Sequence, residues 1–103
     1  MARISVIAEI NPKAGCFADV EAIVREHAEL TKTEEPEGCL SFEAMHALNK
    51  DGSVDLSKIM IIEIYRDMDA VRSHFANPRM SELQTRMGPL CEGRKLVICE
   101  MQE

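Results

Sequence analysis

Ile59-Met60-Ile61-Ile62-Glu63-Ile64-Tyr65-Arg66-Asp67-Met68-Asp69-Ala70-Val71-Arg72-Ser73-His74-Phe75-Ala76-Asn77-Pro78 is the stretch that decides the fold. Four isoleucines and a methionine from Ile59 to Ile64 read as a buried strand, because β-branched side chains suit a pleated surface. Side chains alternate across a strand, so Ile59, Ile61, Glu63 and Tyr65 share one face, and Met60, Ile62 and Ile64 the other. The strand's carboxylate and phenol therefore lie together. Asp67 offers a helix N-cap, and Asp69 puts negative charge in the first turn, where the helix dipole favours it. On the helix that follows, Ala70, His74 and Asn77 fall on one stripe, with Val71 and Phe75 on the next. His74 is thus expected to face the strand of Glu63 and Tyr65. An acid, a phenol and an imidazole converging on one cavity form the candidate site.

Upstream, Ile4 to Ile10 reads as a first strand, with Ile4, Val6, Ala8 and Ile10 on one face, ended by Asn11-Pro12-Lys13-Ala14-Gly15. From Cys16 to about Thr33, Phe17, Val20, Ile23, Val24, His27 and Leu30 recur at three and four, an amphipathic helix. His27 on that stripe reads as a satisfied core or rim residue rather than a ligand. Thr33-Glu34-Glu35-Pro36-Glu37-Gly38 stops the helix and reads as solvated surface. Cys39 to Ala47 alternates Leu40, Phe42, Ala44 and His46 against Cys39, Ser41, Glu43 and Met45, a second strand. The segment Leu48 to Ser57 carries hairpin signals, above all Asp51-Gly52, so the second and third strands should be antiparallel neighbours.

Downstream, Asn77-Pro78 breaks the helix, and a second one follows from Arg79 to Met87 with Met80, Leu83 and Met87 inward. Gly88-Pro89 closes it, Leu90 to Arg94 reads as a connector, and Lys95 to Met101 as a fourth strand that is apolar on both faces. The order β, α, β, β, α, β is that of an α+β, ferredoxin-like domain with a four-stranded antiparallel sheet, spanning 1–103 as one unit. Its helices suffice for one sheet face, so a second subunit is expected to cover the other.

A net charge of −6 excludes a phosphate-backbone partner, since nucleic-acid binders need a basic footprint. No apolar run reaches bilayer length, and Met1-Ala2-Arg3 runs straight into a strand, so no membrane partner and a cytoplasmic setting are expected. Cys16, Cys39, Cys91 and Cys99 lack metal or disulfide spacing and read as free thiols, Cys39 and Cys99 buried. The methionines, among them Met45, Met60, Met80 and Met87, read as core filling before pocket lining.

Val6-Ile7-Ala8-Glu9-Ile10, Glu35-Pro36-Glu37-Gly38-Cys39-Leu40-Ser41-Phe42, Ile62-Glu63-Ile64-Tyr65-Arg66-Asp67, Ala70-x-x-x-His74 and Asn77-Pro78, in that order and spacing, resemble the antibiotic biosynthesis monooxygenase family. The resemblance implies a ferredoxin-like unit dimerising sheet to sheet into an α/β barrel. It also implies one of several activities: cofactor-free oxygenation of quinols or anthrones, haem degradation, or isomerisation of a phosphorylated signal sugar. The haem branch is not matched, because its ligand histidine falls at Gln84, its ruffling tryptophan at His74 and its first-strand asparagine at Ile10. Glu37 is an insertion into the family's usual Glu-Pro-Gly, Tyr65 stands where many members carry Trp, and Arg79 where many carry a second histidine.

Oxygenation without a bound redox group requires a substrate that is itself electron-rich once deprotonated. The protein then supplies a dry pocket, a base and hydrogen-bond donors. His74 is the candidate base, Glu63 its orienting or charge-holding partner and Tyr65 a donor to the substrate oxygen. The expectation is a homodimeric monooxygenase for a small quinol-like or polyketide aromatic, with no cofactor and molecular oxygen as co-substrate. Two alternatives stay open: a phosphosugar isomerase anchored by Arg66, Arg72 or Arg79, and a non-catalytic ligand-binding dimeric module.

Overall fold

The structure is a computed structural model that describes residues 2–102; Met1 and Glu103, the ends of the expected domain, lie outside the described residues. The chain runs β1 (Ile4–Pro12), α1 (Phe17–Glu34), β2 (Cys39–Leu48), β3 (Val54–Tyr65), α2 (Met68–Ala76), α3 (Pro78–Met87), a short 3-10 turn (Gly88–Leu90) and β4 (Cys91–Glu100). The strands form one antiparallel sheet in the order β2-β3-β1-β4, the ferredoxin-like arrangement expected. Among the described residues no helix is long and apolar enough to cross a membrane.

β1 lies at the centre, with Val6 opposite both Glu63 and Ile98, and Ile10 opposite both Ile59 and Arg94. The alternation holds: Ile4, Val6, Ala8 and Ile10 with Ile59, Ile61, Glu63 and Tyr65 are all buried. Val20 and Val24 of α1 and Val71 of α2 pack with them, each such side chain worth about 1.5 to 3 kcal/mol of burial. On the opposite face Ile7, Met45 and Val97 are exposed, and Ile62 and Ile64 are half-buried.

Three local features differ from expectation. β3 starts at Val54, five residues before Ile59, because the hairpin turn is confined to Asn49–Ser53. Gly52 takes φ +90° there, and Asp51 Oδ1 accepts from both the amide and the hydroxyl of Ser53 at 2.9 and 2.6 Å. The expected connector Leu90 to Arg94 is largely strand, since β1 continues past Asn11 to pair Pro12 with Cys91 across a register shift. Leu40 does not share a face with Phe42: a register shift between Cys39 and Ser41 turns Cys39 and Phe42 inward and leaves Leu40 exposed. Of the cysteines, all free, Cys39 is buried and Cys99 only half-buried, contrary to the expectation for the latter.

Candidate active site

Asp67 leaves β3 in extended conformation and caps α2, its Oδ1 accepting the Ala70 amide at 2.9 Å. Seven residues on, about two turns, His74 therefore comes to rest over the strand face of Glu63 and Tyr65. Its Nε2 is 3.7 Å from Glu63 Oε1, and the Tyr65 hydroxyl donates to that same oxygen at 2.5 Å. The three predicted residues are thus brought together. Their roles divide differently from expectation: Tyr65 is fully buried, spends its hydroxyl on Glu63 and does not line the cavity described below.

The sequence reading missed Glu35. Both of its carboxylate oxygens lie 3.1 Å from His74 Nδ1, so this residue of the supposedly solvated acidic run is the direct partner of the imidazole. Its position follows from Pro36, which disfavours helix at the preceding residue; Glu35 takes φ −126° and ψ 47° at the end of α1 and its side chain reaches α2. Gly38 lets this loop approach α2, since a Cβ there would stand 3.0 Å from Ala70 Cβ. Arg79, at the start of α3, donates to Glu35 Oε2 and places Nε 3.1 Å from Glu34 Oε1. One carboxylate thereby ties together the end of α1, α2 and the start of α3.

Burial pushes Glu63 up to about 7, with the Tyr65 hydrogen bond opposing and the charge of Glu35 adding to the rise. Burial also holds His74 below the ordinary histidine value, while Glu35 pulls it back up. A neutral His74 that donates its Nδ1 proton to Glu35 keeps a bare lone pair on Nε2, the side of Glu63. Burial above all brings His27 down to about 4, with repulsion from His74 when that ring is protonated and from the Arg79 guanidinium adding to the drop, so it is neutral at physiological pH. The Tyr65 phenol is raised by burial and by Glu63, and stays protonated.

Glu63 and His74 form part of the wall of a cavity of about 610 Å³ between the sheet and the helices. Ala8, Ile10, Phe42 and Ile61 line it from the sheet, and Phe75, Met80, Leu83 and Met87 from the helices, so it is mostly apolar. Met80 and Met87 therefore line a pocket, the second of the two roles expected of them, while Met87 also belongs to the core. Besides Glu63 and His74, its polar lining comprises His27, Gln84, Glu92, Arg94 and Lys95. Among the described residues, no cluster of three His, Cys, Asp or Glu side chains is placed to hold a metal ion.

A sequence model of the antibiotic biosynthesis monooxygenase family matches residues 3–86. The chain belongs to that family. Among solved structures, an antibiotic biosynthesis monooxygenase so named provisionally, from Caulobacter crescentus, is 23% identical, with 99% of this chain and 92% of that one covered and a TM-score of 0.85. A similarly named Deinococcus radiodurans protein is 18% identical over 97% of this chain and 93% of that one, with a TM-score of 0.81. A Bacteroides fragilis protein described as dimeric, of unknown function and ferredoxin-like fold is 13% identical over 98% of both chains, with a TM-score of 0.76. At these identities the likenesses establish a shared fold. No functionally curated protein matches the chain. Family membership supports a monooxygenase-like function, and the residues above define where in this member such chemistry has room.

Proposed function

We propose that this family member is a homodimeric monooxygenase for a small electron-rich aromatic, a quinol or an anthrone, with His74 as the general base and no bound redox cofactor. The observation that carries this reading is the Glu35–His74 pair, which leaves Nε2 as an acceptor on the wall of a roomy apolar cavity beside Glu63. His74 takes the substrate's acidic proton, and the resulting anion is the reductant for dioxygen. For an anthrone methylene, one oxygen atom becomes the new ring carbonyl and the other leaves as water. The two C–H bonds lost supply the four electrons, so the atoms and electrons balance without another reductant. Apolar walls exclude water and favour oxygen attack over stray protonation. Tyr65 acts through Glu63, fixing that carboxyl rather than touching substrate.

The isomerase alternative would need a different phosphate anchor from the three the sequence offers. Arg66 and Arg72 pair with Asp67 and Asp69, and Arg79 is engaged by Glu34 and Glu35; none of the three lines the cavity, whose basic groups are Arg94 and Lys95. The four free thiols suit a reducing compartment, and the cytoplasm is the proposed setting. The test is oxygen consumption with a freshly reduced naphthoquinone and with an anthrone. Wild type should exceed autoxidation and His74→Ala should fall to it; wild type at the autoxidation rate with both substrates overturns the proposal.

A further inference from the structure

The buried stripe of α1 is Val20, Ile23, Val24, His27, Ala28 and Thr31. An apolar side chain at position 27 would extend that stripe at no polar cost, yet the residue is an imidazole only 7% exposed. Its ring meets Phe42 edge-on at 5.4 Å and His74 at 5.5 Å, and all three rings line the large cavity. Among the described residues no protein group hydrogen-bonds either ring nitrogen of His27. Neither nitrogen is sealed in, since among the described residues the one fully enclosed side-chain nitrogen or oxygen without such a bond is Arg79 Nε. His27 also borders a cleft of about 50 Å³ between α1 and α3, which has room for little more than water.

A neutral imidazole carries one donor and one acceptor, and burying them unmatched is unfavourable unless something else supplies partners. We propose that His27 is a second substrate-contacting residue, which with His74 holds two neighbouring oxygens of the aromatic substrate. This rests on the oxygenase reading of the cavity and narrows its substrate class. Two imidazoles side by side address oxygens on adjoining or peri ring positions, such as a hydroxyl next to a second hydroxyl or a carbonyl. A quinol with oxygens only at opposite ends of a ring would present a single oxygen to the imidazole pair and leave one of the two rings without a partner.

Binding of quinone-level probes tests this without turnover. Alizarin has two vicinal hydroxyls beside a carbonyl, whereas anthraquinone has the same ring frame and no hydroxyl. In absorbance titrations, wild type should bind alizarin at least about tenfold more tightly than anthraquinone. His27→Phe should lose that preference while still binding anthraquinone, and His27→Gln, which keeps a donor and an acceptor, should retain most of it. Thermal melts establish that both variants fold. Equal affinity of wild type for both probes, no binding of either, or a preference that survives in His27→Phe overturns the proposal. Loss of the alizarin preference in His27→Phe alongside wild-type failure in the oxygen assay would leave His27 as a ligand contact and remove only the oxygenase reading.

Discussion

Glu35 sets both the tautomer and the basicity of His74, because its carboxylate accepts from Nδ1 and its negative charge raises the imidazole pKa. Glu35→Gln keeps the shape and removes the charge, so the His74 pKa should drop. A base must be unprotonated, so activity rises as pH climbs through its pKa, and the acid limb of the pH–rate profile should move to lower pH in the variant. The rate at the plateau should fall by about tenfold or more as the weaker base loses driving force; an unmoved acid limb would argue against His74 as the titrating group. A second consequence concerns stability. Between about 4.5 and 7 the unfolded chain has Glu63 ionised while the native chain keeps it protonated, so this group's contribution to stability falls as pH rises through that window. His27 acts in the opposite sense: between about 6.5 and 4 the unfolded chain binds a proton that the native chain refuses, so its contribution falls as pH falls. The two windows overlap and largely offset, with His74, also depressed and flanked by Glu35 and Arg79, adding to the acid loss. Urea melts should therefore show Glu63→Gln losing stability toward acid more steeply than wild type, by on the order of 3 kcal/mol at most. In His27→Phe that acid loss should shrink. Glu63 and His74 were readable in the sequence because strand alternation and helix spacing fix directions. Glu35 was not, since an acid in an acidic run looks solvated until Pro36 turns it inward.

Elements were legible wherever a period ran uninterrupted: β1, α1, the apolar half of β3, the Asp67 cap and the break at Asn77-Pro78 all stand where spacing and capping chemistry put them. What escaped was where one period is broken by a register shift. A one-residue slip reverses the facing of side chains beyond it, which is how Leu40 came to be exposed and Cys39 to share the inward face of Phe42. The start of β4 escaped for a similar reason, because Cys91 to Arg94 carries no alternation of its own and becomes strand only by pairing with the end of β1. Gly38 marks the tightest approach between elements, and its role is steric, since its backbone lies outside the positive-φ region that Gly15 and Gly52 occupy. Gly38→Ala should drive the new methyl into Ala70 Cβ at the first turn of α2 and destabilise the protein by about 1 to 3 kcal/mol. Adding Ala70→Gly should restore part of the loss, although glycine inside a helix costs about 1 kcal/mol. Thermal melts of the two single variants and the pair decide this; additive losses would mean that the two residues do not meet.

At the scale of the whole molecule, the helices cover one side of the sheet and leave the other to whatever lies outside the single chain. That side is consistent across the register: Val97 faces Ile7, Ile7 faces Ile62, and the next row sets Ser5 between Cys99 and Ile64. Ile7 and Val97 are 37% and 55% exposed at its centre. An antiparallel sheet commonly has a solvated second face, but here the apolar row Val97-Ile7-Ile62 lies open at its centre, with polar residues such as Glu9 and Lys95 in the row on its other side. A second copy laying the same face against it would bury this row symmetrically, as closed two-fold pairs do. Val97→Glu should therefore place a charge in the middle of the contact, with a matching charge from the partner opposite or nearby, and convert dimer to monomer in sedimentation. The side chain points away from the core of its own chain, so the far-ultraviolet spectrum should not change. Wild type that sediments as a monomer, or a Val97→Glu variant that remains dimeric, would leave the face without this partner. The cavity is walled by one chain's own sheet and helices, so binding of alizarin should persist in the monomeric variant, separating the assembly of the molecule from the chemistry of its site.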